Sequence, residues 1–464
     1  MVRETALIPG SAHCYVESNS NFPVSDFLFA RSQMAMSLAF HIVFAAIGIS
    51  LPVLMVISEA FYLRTGRPVF LELAKRWSRG AAILFAVGAV SGTVLSFELG
   101  LLWPGFMEKS GAIIGMPFSL EGFAFFTEAI FLGLYLMGWK RLPPLVHWFC
   151  GVLVILGGVT SGIFVVTANA WMNTPAGFKI VDGRITDIDP IAAMLNPAAA
   201  HEVLHMTLAA FIATGFAVAA IHAFFLLRDR RNAFHRNALG MALALACTSA
   251  PLQLISGDFS ARSVAKLQPA KLAAMEAVYQ TQTGAPLRLG GIPDDESRTT
   301  RYALTIPRGL SLLVNRNPNS KIIGLDHFAP NDWPNVRLVH WSFDLMILCG
   351  LALIALSMAV VWLAWKHRGV PDGKWILRTI VAAGPLGFVA IEAGWMVTEL
   401  GRQPWIIYGV MRTQEAVTPM PKIAIPFVIF TLIYVLLSVA LIYLLRRQFM
   451  KTDAPASELT TKNV

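Results

Sequence analysis

Ionisable and metal-ligating side chains interrupt the long apolar stretches of this 464-residue sequence. Such residues are costly inside a membrane-like stretch unless they have a partner or a function. They are His41, Glu98, Glu121, Glu128, His201, Glu202, His205, His340, Asp344, Met346, Glu392 and Glu399. Histidine, methionine and carboxylate in a chain with only four cysteines suit haem iron better than an iron–sulfur cluster. Zinc held by His201, His205 and a glutamate is an alternative.

The composition places these side chains in a membrane protein. Hydrophobic residues make up 56% of the sequence and charged residues 14%, whereas soluble domains carry about 45–50% and about 25%. This balance excludes an ordinary cytosolic protein and a disordered chain. The net charge of +9 does not indicate a nucleic-acid binder, because the Lys and Arg residues lie between apolar runs, where membrane topology signals occur.

Nine apolar runs are long enough to cross a bilayer as helices, which takes about 20 residues each. They cover residues 33–62, 79–103, 118–139, 145–171, 199–227, 236–256, 337–365, 376–400 and 423–445. Because lipid offers backbone groups no water to bond, these runs predict an all-α polytopic membrane protein with nine transmembrane helices.

Basic residues alternate between the connecting segments. Clusters of Lys and Arg follow the first, third, fifth, seventh and ninth runs. The positive-inside rule therefore predicts an N-terminus outside and a C-terminus inside. The predicted division is an N-terminal extension (1–27), six spans (28–256), a periplasmic loop (257–336), three spans (337–446) and a cytoplasmic tail (447–464).

With this orientation, six helices place polar or coordinating side chains in one layer near the outer surface. Residues seven apart share a helix face, so Glu121 and Glu128 lie on one stripe. Glu392, Trp395 and Glu399 form another. Such stripes need a protein interior or a cofactor to face. The Phe, Trp and small residues around the layer favour a flat macrocycle over a zinc ion.

Several motifs resemble those of subunit I of the bd-type quinol oxidases, and together they cover about residues 25–446. The most specific is the end of the eighth run, Glu392-Ala-Gly-Trp-Met-Val-Thr-Glu399-Leu-Gly-Arg-Gln-Pro-Trp405. The others are Arg31-Ser-Gln-Met-Ala-Met-Ser-Leu-Ala-Phe-His41, Leu120-Glu-Gly-Phe-Ala-Phe-Phe-Thr-Glu128, Ala168-Asn-Ala-Trp-Met172, Asn196-Pro197 with His205, Lys271-Leu-Ala-Ala-Met-Glu276 and Gly291-Ile-Pro-Asp294.

The resemblance implies the haem-bearing catalytic subunit of a terminal oxidase. Quinol is then oxidised at the periplasmic side, and dioxygen is reduced to water with cytoplasmic protons, which generates a membrane potential without pumping. The implied cofactors are a low-spin haem b, a high-spin haem b and a third haem, either d or a further b. The short loop and the seven-residue spacing of Glu121 and Glu128 resemble the cyanide-insensitive branch of the family.

The resemblance also implies the haem ligands. His205 and Met346 correspond to the axial ligands of the low-spin haem b iron, and His/Met ligation raises the potential of a haem. His41 and Glu399 correspond to the ligands of the two high-spin haem irons, with the pairing left open. Trp395 is expected to pack between the macrocycles.

Five further residues take roles from the resemblance. Arg402 is expected to pair with haem propionates, because a guanidinium binds carboxylates in a bidentate manner. Glu121 and Glu128 are expected to carry protons toward the site of oxygen reduction. Lys271 and Glu276 are expected to bind quinol in the 257–336 loop, where quinol oxidation releases two protons.

The implied partners are a second integral-membrane subunit (subunit II), ubiquinol or menaquinol, dioxygen and membrane lipids, with no nucleic acid. A small single-span subunit is left open. The expected location is the bacterial inner membrane, as a multi-pass protein. Two alternatives remain at this point. One is a secondary transporter with the carboxylate stripes as its proton-coupled site, and the other is a b-type cytochrome that passes quinol electrons to a partner without touching oxygen.

Overall fold

The computed structural model describes residues 24–450, and within this range nine helices are long and apolar enough to cross a membrane. This confirms the all-α polytopic fold. The helices are α1 (Val24–Thr65), α2 (Pro68–Leu102), α3 (Pro104–Gly138), α4 (Pro144–Asn173), α5 (Pro190–Met194), α6 (Ala199–Arg228), α7 (Ala233–Leu267), α8 (Pro269–Met275), α9 (Gly309–Asn315), α10 (Val336–His367), α11 (Lys374–Ala383), α12 (Leu386–Leu400), α13 (Thr413–Ala416) and α14 (Ala424–Met450).

Short antiparallel strand pairs occupy the segments between the long helices. The strands are β1 (Lys179–Val181), β2 (Arg184–Thr186), β3 (Gln282–Thr283), β4 (Leu287–Leu289), β5 (Ile292–Asp294), β6 (Thr299–Arg301), β7 (Leu304–Ile306), β8 (Lys321–Ile322), β9 (Trp405–Ile407) and β10 (Met411–Arg412). They pair as β1 with β2, β3 with β8, β4 with β7, β5 with β6 and β9 with β10.

The long helices extend past the apolar runs. The second span begins at Pro68 rather than at 79, so Lys75 and Arg76 belong to α2 and not to a loop. Arg76 forms a salt bridge with Glu72 at a distance of 2.6 Å along the same helix, which satisfies both charges without unwinding it. A run of apolar residues in the sequence marks only the lipid-facing centre of such a helix, because the ends of the helix carry charged residues.

Two further boundaries differ from the prediction for the same reason. The third span begins at Pro104, so Glu121 lies halfway along α3 rather than near its outer end. The sixth span, α7, continues to Leu267, eleven residues beyond the predicted end at 256. Its last turns carry the salt bridge between Asp258 and Arg262. The insert is therefore helical at its start and forms its own small core only from α8 onward.

The eighth span is made of two helices. α11 ends at Ala383 and α12 begins at Leu386, with Gly384 and Pro385 between them. Proline has no N–H to donate and disfavours the helical conformation in the residue before it, which explains the interruption. The second half, α12, carries the whole stripe from Glu392 to Glu399.

The spans pack in two groups. α1 packs on α2 and α4, and α3 packs on α2 and α4. In the other group, α6 packs on α7 and α12, and α10 packs on the same two helices. A large apolar core of residues such as Leu54, Tyr135, Phe216 and Leu239 joins both groups. α6 also packs on α1 and α4, so the two groups form one body.

The predicted division at the chain ends is only partly described. Residues 1–23 and 451–464 lie outside the described range, so most of the N-terminal extension (1–27) and of the tail (447–464) is not tested. An odd number of spans predicts that the two termini lie on opposite sides of a membrane. Which side is outside stays a prediction from the positive-inside rule.

Candidate functional site

The two predicted low-spin ligands lie on opposite helices of the second group. His205 is six residues into α6, and Met346 is ten residues into α10. α7 and α12 each pack on both of these helices and so close a ring of four. In helical bundles, cofactor sites are built from side chains on facing helices in this way.

The imidazole of His205 is held by α7. Its Nδ1 atom lies 3.0 Å from Ser256 Oγ, and Gln253 Nε2 lies 3.1 Å from His205 Nε2. A ligand histidine is oriented by a contact to the ring nitrogen that does not bind the metal, and the Ser256 contact to Nδ1 is of this kind. On the opposite side, a Cβ atom on Gly394 of α12 would lie 3.0 Å from Met346 Sδ, so the thioether lies directly against the α12 backbone.

His41 is held between α1 and α2. Its Nδ1 atom lies 3.0 Å from Ser91 Oγ, and a Cβ atom on Gly92 would lie 3.0 Å from its Cε1 atom. The ring therefore rests on the glycine backbone with Nδ1 engaged, which is the arrangement expected of an oriented ligand histidine.

Both oxygens of the Glu399 carboxylate are hydrogen-bonded. Asn169 Nδ2 of α4 donates to Oε1 at 2.6 Å, and Arg402 donates to Oε2. Each carboxylate oxygen has two lone pairs, so this arrangement orients the group and still leaves lone pairs for a metal ion. Trp395 lies one turn earlier on the same face and packs beside Ile391.

Arg402 has donors without partners. Its side chain is 2% exposed, and among the described residues neither Nε nor Nη1 has a hydrogen-bond partner. A buried polar group left unpaired costs about 1–3 kcal/mol, and more if it is charged. Each of these free donors can bind a carboxylate oxygen, and haem propionates are carboxylates. The residues present therefore fit a haem at this position.

Lys271 points into the protein rather than toward the surface of the loop. It is 3% exposed, its Nζ atom donates to Asn173 Oδ1 at 2.7 Å, and its stem packs on Gly401. Asn173 in turn donates to the backbone oxygen of Asn169 at 3.2 Å. A continuous hydrogen-bonded chain thus joins the predicted quinol residue Lys271 to Glu399. Burial lowers the pKa of Lys271 to about 7, and the Glu202 carboxylate opposes this shift.

Glu276, the other predicted quinol residue, lies in a different environment at the end of α8. It is 5% exposed, and burial raises its pKa to about 8, with the Asp344 carboxylate adding to the shift and the Arg288 guanidinium opposing it. His340 connects this group to the insert, since its Nδ1 lies 2.7 Å from the oxygen of Met275. Its Nε2 lies 3.3 Å from Asp344 Oδ2. Lys271 and Glu276 therefore lie in separate environments and do not contact a common side chain in the structure.

Glu121 and Glu128 share one face of α3, as predicted, and both lie against α4. Ser161 donates to Glu121 Oε1 at 3.0 Å. A Cβ on Gly157 would lie 2.9 Å from the backbone nitrogen of Glu128, and one on Gly158 would lie 3.3 Å from both of its carboxylate oxygens. Two glycines thus bring α4 against the Glu128 carboxyl without supplying a hydrogen bond to it.

The zinc alternative has a sequence argument of its own. Residues 201–205 are His-Glu-Val-Leu-His, which is the spacing of zinc-binding helices. In the structure His201 Nδ1 lies 3.3 Å from Ser260 Oγ, while His205 lies against Ser256. Across residues 24–450 no group of three or more His, Cys, Asp or Glu side chains is arranged to hold a metal ion. The geometry therefore does not support zinc.

Sequence reasoning missed the groups that support the predicted residues. Asn169, Asn173, Ser161 and Ser91 all hold a predicted site residue in place. A signal for the two asparagines was available, because both lie within or next to an apolar run and an amide there needs a partner.

Comparison with known proteins gives a consistent result. Residues 29–453 match the family described as cytochrome bd terminal oxidase subunit I. Two relatives come from Bacillus subtilis (strain 168). A putative cytochrome bd menaquinol oxidase subunit I is 36% identical over 92% of this chain and 97% of its own length, and a cytochrome bd ubiquinol oxidase subunit 1 is 30% identical over 92% and 94%.

The fold agrees as well. A solved structure of bd oxidase from Geobacillus thermodenitrificans superimposes with a TM-score of 0.86 at 37% sequence identity, covering 93% of this chain and 99% of that one. The transporter and the oxygen-independent cytochrome are thereby excluded, because the family is one of terminal oxidases. The chain, with nine candidate membrane spans among its described residues and the Glu399–Arg402 pair, belongs to the cytochrome bd terminal oxidase subunit I family.

Proposed function

We propose that this chain is the haem-bearing catalytic subunit of a quinol:oxygen oxidoreductase. Two quinols are oxidised to two quinones and one dioxygen is reduced to two waters, so four electrons and four protons pass through the enzyme. The observation that carries the proposal is the Glu399 carboxylate, which is hydrogen-bonded by Asn169 and by a buried arginine, in a chain of this family. Two donor nitrogens of that arginine have no partner among the described residues.

Haem iron would supply the electron transfer and the binding and reduction of oxygen. His205 and Met346 would hold a low-spin haem b from opposite helices, and His41 and Glu399 would hold two high-spin haems. One of these is haem b and the other is haem d or a further haem b. Arg402 would bind a propionate, and Trp395 would pack between macrocycles. Ser91 and Ser256 orient the two histidines.

Glu276 is the proposed proton acceptor for quinol at the outer side. It lies at the end of α8, in a segment outside the spans, and it is buried beside Asp344 and Arg288. Lys271 would border the same site from the other side of α8. Its ammonium donates a hydrogen bond to Asn173 Oδ1. Quinol protons would leave to the outside through the insert.

Protons for water formation would come from the inside, along α3. A carboxyl in a low-dielectric environment favours the neutral form and can load and release one proton. Glu128 has glycine backbone on two sides, and Glu121 lies two turns nearer the outer end of the spans. Electrons would enter at the outer side and protons at the inner side, so turnover would generate a membrane potential without pumping.

The family implies a partner subunit II and a bacterial membrane location. Several long helices present apolar side chains that nothing in the described chain covers, for example Leu348 on α10 and Leu436 on α14, which are 67% and 68% exposed. We propose that subunit II and membrane lipids cover these faces in the inner membrane. A small single-span subunit could dock on the same surface, with ubiquinol or menaquinol as substrate.

Optical spectra of membranes that contain this chain with its subunit II test the proposal. A reduced-minus-oxidised spectrum should show low-spin haem b, and carbon monoxide should shift the bands of high-spin haem. Low-spin haem alone would contradict the oxidase function, and so would oxygen consumption that needs no quinol.

The pH dependence of quinol oxidation should report Glu276. The carboxyl accepts a proton only when it is ionised, and burial raises its pKa to about 8. The kcat/KM for quinol should therefore rise about tenfold per pH unit below that value and level off above it. Glu276→Gln should remove this rise. Arg288→Gln removes the one influence that lowers the pKa, so it should move the rise to higher pH.

A matched control for this prediction is Glu296→Gln, since Glu296 is an exposed carboxylate of the same insert. It should leave the profile unchanged. An unaltered profile in Glu276→Gln, with wild-type haem spectra, would show that another group accepts the quinol proton.

A further inference from the structure

The stripe of α3 that carries Glu121 and Glu128 continues to Tyr135, another seven residues along. At 1.5 Å per residue, Tyr135 lies about 10 Å beyond Glu128 toward the inner end of the span. Beside it, Glu59 of α1 and His147 of α4 form a buried pair, with side chains 4% and 3% exposed. We refer to Glu128, Tyr135, His147 and Glu59 as the lower column.

The distances around His147 and Glu59 require that the two side chains share a proton. His147 Nε2 lies 2.8 Å from the backbone oxygen of Tyr135, and a carbonyl only accepts, so Nε2 carries a hydrogen. His147 Nδ1 lies 2.7 Å from Glu59 Oε1, a contact that needs one proton between the two atoms. That proton is held either as imidazolium and carboxylate or as neutral imidazole and carboxylic acid. The pair is thus built to hold and to exchange a proton.

A second proton could be accepted on the same carboxyl. Within the described part of the chain, Glu59 Oε2 and Tyr135 Oη are both buried and have no hydrogen-bond partner. The Tyr135 hydroxyl faces the Glu59 carboxyl. Buried polar oxygens are rarely left without a role, and a tyrosine hydroxyl beside a carboxyl marks a polar position inside an otherwise apolar core.

Two pockets lie beside members of the lower column. The first is small and is lined by Glu128 together with Gly48, Pro52, Leu132 and Val154. Because proline has no N–H, Pro52 cannot donate to the Gly48 carbonyl four residues earlier, which leaves an acceptor at this pocket.

Toward the inner surface, the Trp139 ring packs on the His147 ring with centroids 4.0 Å apart. Trp139 also lines an open pocket, together with Lys75, Arg79, Lys140 and Arg141. A single aromatic side chain thus separates His147 from a basic pocket that water can reach.

We propose that Glu59 and His147 form the proton-loading pair through which inner-side protons reach Glu128. A proton from inner-side water binds to the pair, the pair passes one proton to the Glu128 carboxylate, and the next proton reloads the pair. This inference rests on the proposed function, in which Glu128 relays protons from the inside. It adds the residues at which the route begins.

Glu59→Gln in the complete two-subunit enzyme, reconstituted in proteoliposomes, tests the proposal. The glutamine amide can still donate to His147 Nδ1, so a purely structural link between α1 and α4 would persist, but the amide cannot carry a proton. Proton uptake from the inner side and oxygen consumption should both slow at least about tenfold. The haem spectra and the KM for quinol should remain at wild-type values.

The matched control is His222→Gln. His222 belongs to a second buried inner-side histidine contact, with its Nδ1 2.9 Å from His235 Nδ1 on α7, away from the lower column. This variant should take up protons at the wild-type rate. If Glu59→Gln fails to assemble with haem, Tyr135→Phe removes only the hydroxyl that faces Glu59, and it should still slow uptake measurably.

Wild-type proton uptake in an assembled Glu59→Gln enzyme, or in Tyr135→Phe where the first variant does not assemble, would overturn the proposal. Comparison with Glu128→Gln separates the two levels of inference. Slow uptake in Glu128→Gln with normal uptake in Glu59→Gln would contradict only the role of Glu59 and His147 as the loading pair. Normal uptake in both variants would contradict the proton route along α3 itself.

Discussion

Met346→Leu is expected to eliminate the low-spin haem b bands from the reduced-minus-oxidised spectrum. Leucine has a similar volume to methionine, and such exchanges usually cost less than about 1.5 kcal/mol, so the fold should persist. It has no lone pair to give to iron, and His205 would then be the only protein ligand from this ring of helices. Quinol-driven oxygen consumption should fall to roughly a few per cent of the wild-type rate or lower. In the proposed function, electrons from quinol enter through this haem. Carbon-monoxide-reactive high-spin haem should remain.

Met396→Leu provides a matched control. Met396 lies on α12, and its sulfur is contacted by Ser342 Oγ of α10 at 3.9 Å, so it shares the helix pair but not the proposed ligand position. Its spectrum should match that of the wild type. An intact low-spin signal in Met346→Leu would show that another side chain ligates this haem, and the assignment of α10 as its ligand helix would be wrong.

The sequence was sufficient to predict the features that depend on local patterns. Nine spans follow from nine apolar runs, and the shared face of Glu121 and Glu128 follows from the helical period. His205 and Met346 lie six and ten residues into their helices, near the ends at which the fifth and seventh apolar runs begin. These features need only the residues of one helix.

Features that need two distant segments were not predictable in the same way. Lys271 was expected to bind quinol in the 257–336 loop, but its ammonium is buried and bonded to Asn173, 98 residues away in the chain. The surroundings of Glu276 combine Arg288 of the insert with Asp344 of α10. Burial of an ion depends on which partners the fold supplies, and a single sequence does not contain that information.

The signals for the loading pair were weaker than those for the outer site. Glu59 lies near the inner end of the first apolar run, where a carboxylate can be read as interfacial, and a lone membrane histidine such as His147 is most often a structural group. Only their 2.7 Å contact shows that the two residues belong together. The Glu399 carboxylate is paired with Arg402. Glu128 forms no salt bridge with any described residue, which suits a group that must change its protonation.

Glu128→Gln should slow proton uptake from the inner side by roughly a hundredfold, within the range found when a positioned proton-transfer group is removed. Glutamine keeps the volume of the side chain, which matters because Gly157 and Gly158 lie against it. The amide cannot load a proton, so electrons arriving from quinol would wait for protons before oxygen is reduced. Oxygen consumption and the membrane potential should therefore fall together, as measured with an oxygen electrode and a potential-sensitive dye.

Glu72→Gln is the control, since Glu72 is an inner-side carboxylate of α2 that pairs with Arg76 and lies outside the α3 stripe. It should respire at the wild-type rate. Haem content and carbon monoxide binding in Glu128→Gln should also be unchanged, because no proposed ligand touches this residue. If the variant keeps full respiration and full potential, protons reach the oxygen site by a path that does not involve α3. The inner-side origin of the water protons would then need a route through subunit II.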